Sequence, residues 1–422
     1  MGGVNMTQER ISISLDIQGV KINDVVVTPC GEVHIYVTST INGTRCHRCG
    51  GEINRVHEYD REIKLRHLSV LNKPTYIIIK PVRYICDFCC EHTTTTQRLD
   101  WYNQRCSVTR AYEEHILQQL TNSTVQDVSR KEKIGYDTIE DILERRIGKN
   151  VTWEDFYELP TIGIDDLSIR KGHRNFSTIV TVRYESGDIK IIGVLENREK
   201  STVKDFLLSI PERLRDTVHN VCTDLYEGYT ESAREVFKDG VLITADRFHI
   251  EKLHRKVVDH VRKIEMRRLK KELSKEEYKE LKGAMWFIRN KFDNLTAEEK
   301  KVLEELFKHS PLLAIVYILS TVLTGIFDKP YTKLEAEGMI RAWMSIVKEE
   351  NLGYFDTFLN TLEEKMNLIT NYFVRRKNSG FVEGLNHKIR VLFGRCYGML
   401  NKIHIFQRIN LDLSGYDLSG YS

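Results

Sequence analysis

Between residues 158 and 250 three strand-like runs end in an aspartate, and their order limits the possible folds more than any other feature. Residues 161–165 read as a buried strand ending in Asp165. Residues 176–184 follow as a β-branched strand, Glu185-Ser186-Gly187-Asp188 as a turn, and residues 189–195 as a third strand. An amphipathic helix at 201–214 then leads to a strand at 218–224 ending in Asp224. A second helix at 227–237 precedes a strand at 241–246 ending in Asp246. Three antiparallel strands, then helix, strand, helix and strand, is the ribonuclease H-like order, an α/β core on a mixed five-stranded sheet. In that fold the first and fourth strands are neighbours, so Asp165 and Asp224 meet at adjacent strand ends. Two carboxylates so close resist joint ionisation unless a cation lies between them. Magnesium or manganese suits oxygen ligands and leaves positions for water and phosphate.

Upstream, residues 1–103 read as a β-rich domain with strands at 11–15, 25–27, 33–37 and 75–84 around two Cys-x-x-Cys pairs. Cys46, Cys49, Cys86 and Cys89 would present four sulfurs to one structural zinc, leaving no open position for catalysis. The chain has nine cysteines, and the paired spacing favours a metal site over disulfides. Cys90 and His92 stand close enough in sequence to replace Cys89. Residues 104–150 read as three short helices, the first carrying Val108, Tyr112, Ile116 and Leu120 at four-residue steps. Thr124 caps the second, and Gly135 supplies the turn into the third, whose Ile139, Ile142 and Leu143 face the core. That is a helix-turn-helix pattern. Arg145 and Arg146 are its candidate DNA contacts, although Asp137, Glu140, Asp141 and Glu144 make the helix rather acidic.

After the core at 158–250 comes a helical insertion at 251–377, then a last core helix within 378–410 and a polar tail at 411–422. The insertion opens with a basic run, in which Lys252, Arg255, Lys256 and Arg262 are candidate contacts to a DNA backbone. Arg375-Arg376-Lys377 would add to it. Val382, Leu385, Ile389 and Leu392 form an apolar helical stripe, with Glu383, Asn386, His387 and Arg390 on the other side. An acid beside an amide, an imidazole and a guanidinium suits a metal and phosphate site. Asp246 either replaces Asp224 as a ligand or orients Arg247 or His249. His249 either touches a scissile phosphate or caps the next helix.

The chain resembles the transposases of the ISL-three insertion-sequence family. The resemblance rests on the cysteine pairs, Gly163-Ile164-Asp165, Lys171-Gly172-His173, and Asp224 followed by Tyr229. It continues through Ala245-Asp246-Arg247-Phe248-His249 and Gly380-Phe381-Val382-Glu383-Gly384-Leu385-Asn386 to Arg395-Cys396-Tyr397-Gly398. It implies that Asp165, Asp224 and Glu383 form a catalytic triad, with Asp246, His249 and Asn386 as possible catalytic or supporting residues. Asp166 departs from the family, which usually has Glu there.

The activity implied is metal-dependent cleavage and strand transfer of double-stranded DNA, at element ends and target, with two divalent ions. Zinc ribbon and helix-turn-helix would hold the terminal inverted repeats, and pairing two ends calls for a homodimer. A regulator that has lost its chemistry, or a nuclease that cuts without joining, is the alternative; three acids in order argue against the regulator. The net charge of +3 decides nothing about partners, whereas its clustering does. The longest apolar run, 311–323, is short for a membrane span and carries Tyr317, Ser320 and Thr321, so a cytoplasmic protein is expected.

Overall fold

The computed structural model describes residues 15, 17–89, 92–168, 176–237, 239–281, 283–376, 388–392 and 402–414. The chain divides into two compact units, the first ending at Ile147 and the second spanning Gly148–Leu413.

In the first unit, β1 (Val20–Val27), β2 (Val33–Ser39), β6 (Ile63–Val70) and β7 (Lys73–Ile79) form one sheet in the order β1-β2-β7-β6. Its core holds Val33, Ile35, Leu65, Ile77, Leu99 and Tyr102. The single strand expected at 75–84 is two, because β7 stops before Pro81 and β8 (Val82–Ile85) joins another sheet. Proline has no amide to continue the ladder. β8 pairs with β5 (Val56–Tyr59) and β9 (Thr94–Thr96), while β3 (Thr44–Arg45) pairs with β4 (Glu52–Ile53).

Three helices follow: α1 (Arg110–Leu120), α2 (Val125–Glu132) and α3 (Tyr136–Arg146). Tyr112, Ile116, Leu120, Val128, Ile139 and Ile142 are buried, as their spacing requires. The Thr124 hydroxyl accepts from the Asp127 amide at 2.9 Å and caps α2. The turn into α3 differs from expectation. Its left-handed residue is Lys133 at φ 56°, whereas Gly135 is extended at φ −60° and serves as N-cap.

In the second unit the sheet order is β12-β11-β10-β13-β14, with β10 (Thr161–Ser168), β11 (Phe176–Arg183), β12 (Ile189–Leu195), β13 (Asn220–Thr223) and β14 (Leu242–Ala245). β10, β11 and β12 are antiparallel, while β13 and β14 run parallel to β10, as the sequence order predicts. The helix expected at 201–214 breaks at Pro211 into α4 (Lys200–Ser209) and α5 (Glu212–Arg215). α6 (Glu227–Val236) links β13 to β14.

The long α7 (Arg247–Glu272) leaves β14 directly. It leads to α8 (Lys275–Leu281), α9 (Ala284–Phe287), α10 (Ala297–His309), α11 (Pro311–Asp328) and α12 (Lys333–Glu349). The short α13 (Asp356–Glu364), α14 (Met366–Thr370) and α15 (Tyr372–Arg375) return toward the sheet. Ile162, Ile164, Val221, Val261, Leu323, Trp343 and Phe373 belong to one continuous core, so sheet and insertion bury each other. The opposite face of the sheet is covered by Ile389 and Leu392 together with Ile405, Phe406 and Ile409 of α16 (Lys402–Ser414). Two positions of the expected apolar stripe are thus in the core. The polar tail expected from residue 411 starts later, because Leu411 and Asp412 are buried in α16. α11 extends beyond the apolar run at 311–323: its 18 residues, with mean hydropathy 1.8, are long and apolar enough to cross a membrane by length and composition. Leu313, Val316, Leu319, Leu323, Ile326 and Phe327 of that helix are buried in the common core.

His254 of α7 lies 5.9 Å from the Trp343 and Phe355 ring centroids and 5.4 Å from that of Phe358. Burial holds its pKa down at about 4. The unfolded chain takes up this proton below about pH 6.5 and the folded one only near 4. Protonation therefore favours unfolding in that window, removing about 3 kcal/mol at most. In urea titrations from pH 7 to 4, His254→Phe should lose less stability than the wild type by that order; equal losses would contradict a neutral His254.

Candidate active site and metal clusters

The register of the parallel strands builds the site. Ile164 of β10 stands opposite Thr223 of β13, and Thr223 opposite Ala245 of β14. The next residue in each strand is an acid, so Asp165, Asp224 and Asp246 form a row along one end of the sheet. Carboxylate atoms of Asp165 and Asp224 and a ring nitrogen of His249 lie within 4.8 Å of one another.

Asp246 stands behind this group. Its Oδ1 accepts from the Phe248 amide at 3.0 Å, capping α7, and its Oδ2 lies 3.1 Å from His249 Nδ1. That leaves His249 Nε2 on the cluster side, 3.8 Å from Asp165 Oδ1. Of the two partners considered for Asp246, His249 is the one it holds. Arg247 turns away to Glu251 at 2.6 Å and Asp328 at 2.7 Å.

Burial pushes Asp165 up to about 6, helped by Asp224 and Asp246 and opposed by His249 and the Asp166 amide. Burial also raises Asp224, against the Tyr226 amide that donates to its Oδ1 at 2.8 Å. For His249 burial disfavours charge, yet the Asp246 hydrogen bond and the neighbouring carboxylates carry its pKa above the ordinary value. Crowded, desolvated acids and an imidazole drawn toward its cation mark a pocket of negative potential. Two carboxylates and an imidazole converging there fit a divalent cation.

Sequence reasoning set Asp166 aside and missed its role. Tyr229, fully buried on α6, donates to Asp166 Oδ1 and sits 2.7 Å from the Thr178 hydroxyl. Arg198 Nη1 reaches Asp166 Oδ2 at 3.3 Å and its guanidinium lies over the Tyr226 ring. β10, β11 and α6 are thereby tied together beside Asp165. Glu383 and Asn386, like Lys171-Gly172-His173, lie outside the described residues.

The four cysteines converge in the first unit. Cys46 and Cys89 sulfurs are 3.9 Å apart and those of Cys49 and Cys86 3.7 Å. A tetrahedral site with zinc–sulfur bonds of about 2.3 Å sets its sulfurs about 3.8 Å apart. Cys89 therefore completes the set, and His92 is not in the cluster. The Cys49 and Arg48 amides hold Cys46 down at about 6, while burial and the other sulfurs push Cys89 up to about 12. A cation at the centre would remove that conflict.

The candidate DNA-contacting arginines are partly committed elsewhere. Arg145 pairs at 2.7 Å with Glu113, whose side chain is fully buried, and Arg146 reaches Glu114 at 3.2 Å; together they fasten α3 to α1. Arg262 is buried and paired with Asp259 at 3.2 Å, which corrects its placement on an exposed basic face. Arg376, expected to face DNA, instead donates to the carbonyls of Phe327, Asp328 and Lys329 at the end of α11. Lys252, Arg255 and Lys256 are exposed, Arg255 beside Glu251 at 3.3 Å.

Three family profiles match the chain: one described as a transposase over residues 162–409, one as the helix-turn-helix domain of transposase family ISL3 over 97–147, and one as the zinc-finger of transposase IS204/IS1001/IS1096/IS1165 over 42–89. The transposase for insertion sequence element IS1001 of Bordetella parapertussis is 23% identical over 390 residues, 92% of this chain and 93% of that protein. The transposase for insertion sequence element IS1557 of Mycobacterium tuberculosis is 21% identical over 402 residues, 88% of this chain and 86% of that one. Among solved structures, the Drosophila P element transposase strand transfer complex aligns with 75% of this chain and 94% of that chain, at 11% identity and a TM-score of 0.40, too low to carry weight.

Tyr229→Phe keeps the ring but strips Asp166 and Thr178 of a buried partner. It should destabilise the second unit by about 1–3 kcal/mol in urea unfolding. A change below a few tenths of a kcal/mol would mean that the hydroxyl does not tie the strands together.

Proposed function

The chain belongs to the ISL3 family of DDE transposases, and we propose that it cuts and joins DNA at the aspartate row, with Asp165, Asp224 and Glu383 as the triad. The observation that carries this reading is the convergence of Asp165 and Asp224 where the parallel pairing of β10 and β13 stops, under mutual repulsion, in a pocket suited to a divalent cation. Glu383 enters through the family motif and through its position six residues before Ile389, which packs on the same sheet. The three carboxylates would hold magnesium or manganese, which when bound activates the attacking oxygen and stabilises the leaving one.

The chain's own residues do the rest. Asp246 fixes the His249 ring so that Nε2 faces the site, where it can donate to a non-bridging oxygen of the scissile phosphate. Asn386 is placed by sequence on the face of Glu383 and would contact the same strand. Water attacks first and frees a 3′-hydroxyl at the element end; that hydroxyl then attacks the target phosphodiester in line. The reaction needs no covalent intermediate on the protein.

Cys46, Cys49, Cys86 and Cys89 would hold one structural zinc, and the ribbon and three-helix segment would bind the terminal inverted repeats. Two ends must meet for joining, so the working form is a homodimer on DNA. Reduced thiolates suit the cytoplasm.

With magnesium and duplexes carrying the element ends, the wild type should release 3′-hydroxyl ends and yield joined products. Asp165→Asn and Glu383→Gln should each lose cleavage by about a thousandfold or more while end binding stays within about twofold, since a triad residue acts on the reaction and not on recognition. Cleavage retained in either variant would remove that residue from the triad. Metal analysis should find about one zinc per chain, because four thiolates close a single tetrahedral site. Chelation should abolish end binding, and a chain free of zinc that still binds ends would sink the ribbon's role.

A further inference from the structure

α7 starts at the active site, and one of its faces is wholly basic. At 3.6 residues per turn, seven side chains of this helix fall within an arc of about 80°. His249 begins the series, followed by Lys252, Lys256, His260, Lys263, Arg267 and Lys270. Every residue in that arc is His, Lys or Arg. The six beyond His249 are exposed.

The rest of the helix behaves differently. Arg247, Arg255, Arg262 and Arg268 each pair with a carboxylate on the same helix. Among the described residues none of Lys252, Lys256, Lys263, Arg267 and Lys270 is in an ion pair. Asp259, the acid nearest this face, is taken by Arg262 at 3.2 Å and Arg289 at 2.9 Å. Cations three and four residues apart repel and weaken a helix. A face kept only for solubility gains by alternating signs, and this one does not.

We infer that this face of α7 is a track for the phosphate backbone of the duplex being cut, bound without regard to base sequence. The inference rests on the proposed active site, because the track is aligned with His249. From His249 to Lys270 it runs about 32 Å at 1.5 Å per residue, close to the roughly 34 Å of one duplex turn. A straight helix of that length meets phosphates on both sides of a groove. Exposed lysines supply mobile point charges and no base-reading geometry. The track therefore adds affinity and sets the path of the strand, while the first unit supplies recognition.

The test is the salt dependence of duplex binding, followed by fluorescence anisotropy in buffer to which no magnesium or manganese is added, so that catalysis plays no part. Lys256→Gln, Lys263→Gln and Arg267→Gln are combined in one variant, and Lys301→Gln, Lys308→Gln and Lys348→Gln in a control of equal charge. Each neutralised phosphate contact adds about 0.9 to the slope of log affinity against log salt, so the variant should lose about two to three. The control should keep the wild-type slope. The loss should be equal for an end-bearing duplex and a scrambled one. Duplexes trimmed on either side of the cleavage point identify the arm on the track, the variant's defect persisting with at least one of them. An unchanged slope, an equal loss in the control, a loss confined to the end sequence, or a defect that vanishes with both trimmed duplexes would overturn the track. Failure of the triad shows separately, as cleavage surviving Asp165→Asn.

Discussion

Because β10, β13 and β14 run parallel and in register, the aspartate that follows each ladder lands in one row at one end of the sheet. A slip of one residue in either pairing would turn an acid to the opposite face. The row is held against its own repulsion by backbone amides: Asp166 donates to Asp165, Tyr226 to Asp224 and Phe248 to Asp246. β13 and β14 end just before Asp224 and Asp246, where an amide two residues on points back at the carboxylate, while β10 runs on to Ser168 beside β11 and the Asp166 amide serves Asp165 from within the strand. Strand ends supply unpaired amides where the ladder stops. The site thus uses what the sheet has left over.

Asp246 couples this row to the helical half of the unit. One carboxylate oxygen starts α7 and the other fixes His249, so the longest helix among the described residues is anchored in the site. Arg247, one residue on, reaches Asp328 and the Phe327 carbonyl at the end of α11, where Arg376 also donates. Asn371 donates to the Ile243 carbonyl of β14 at 2.8 Å. The insertion therefore braces the strand that carries Asp246 from two directions. Its length is better understood as support for the sheet than as an appended domain, since its apolar side chains continue the core of the sheet.

Much of this was legible because it follows from short-range pattern. Alternating β-branched runs with turn residues between them located the core strands, and their order gave the topology and the meeting of Asp165 with Asp224. Two Cys-x-x-Cys pairs gave the sulfur cluster, and geometry then chose Cys89 over His92. Features that depend on a partner far along the chain were not legible. Tyr229 to Asp166 crosses 63 residues, and Arg376 to the end of α11 nearly 50. Breaks were misjudged at Pro81 and Pro211, where the prolines themselves were the available signal. The turn before α3 was assigned to Gly135, yet its left-handed residue is Lys133, although glycine tolerates positive φ most readily.

The placement of positive charge was the hardest to read, because net charge and clustering treat arginine and lysine alike. In α7 four of the five arginines pair with a carboxylate three or four residues away: Arg247 and Arg255 with Glu251, Arg262 with Asp259, Arg268 with Glu265. Arg267 has no acid at those spacings, and it alone stays on the basic face. The planar guanidinium forms a directed fork that holds a carboxylate, whereas the lysine ammonium is a hydrated point charge on a flexible stem. Lys256 and Lys263 both have Asp259 within helical reach, but arginines occupy it. Where the two compete for one acid on a helix, the arginine is taken into the structure and the lysine is left for solvent or phosphate. Applied to the basic run after His249, that rule separates Arg262 from Lys256 and Lys263 using local spacing alone.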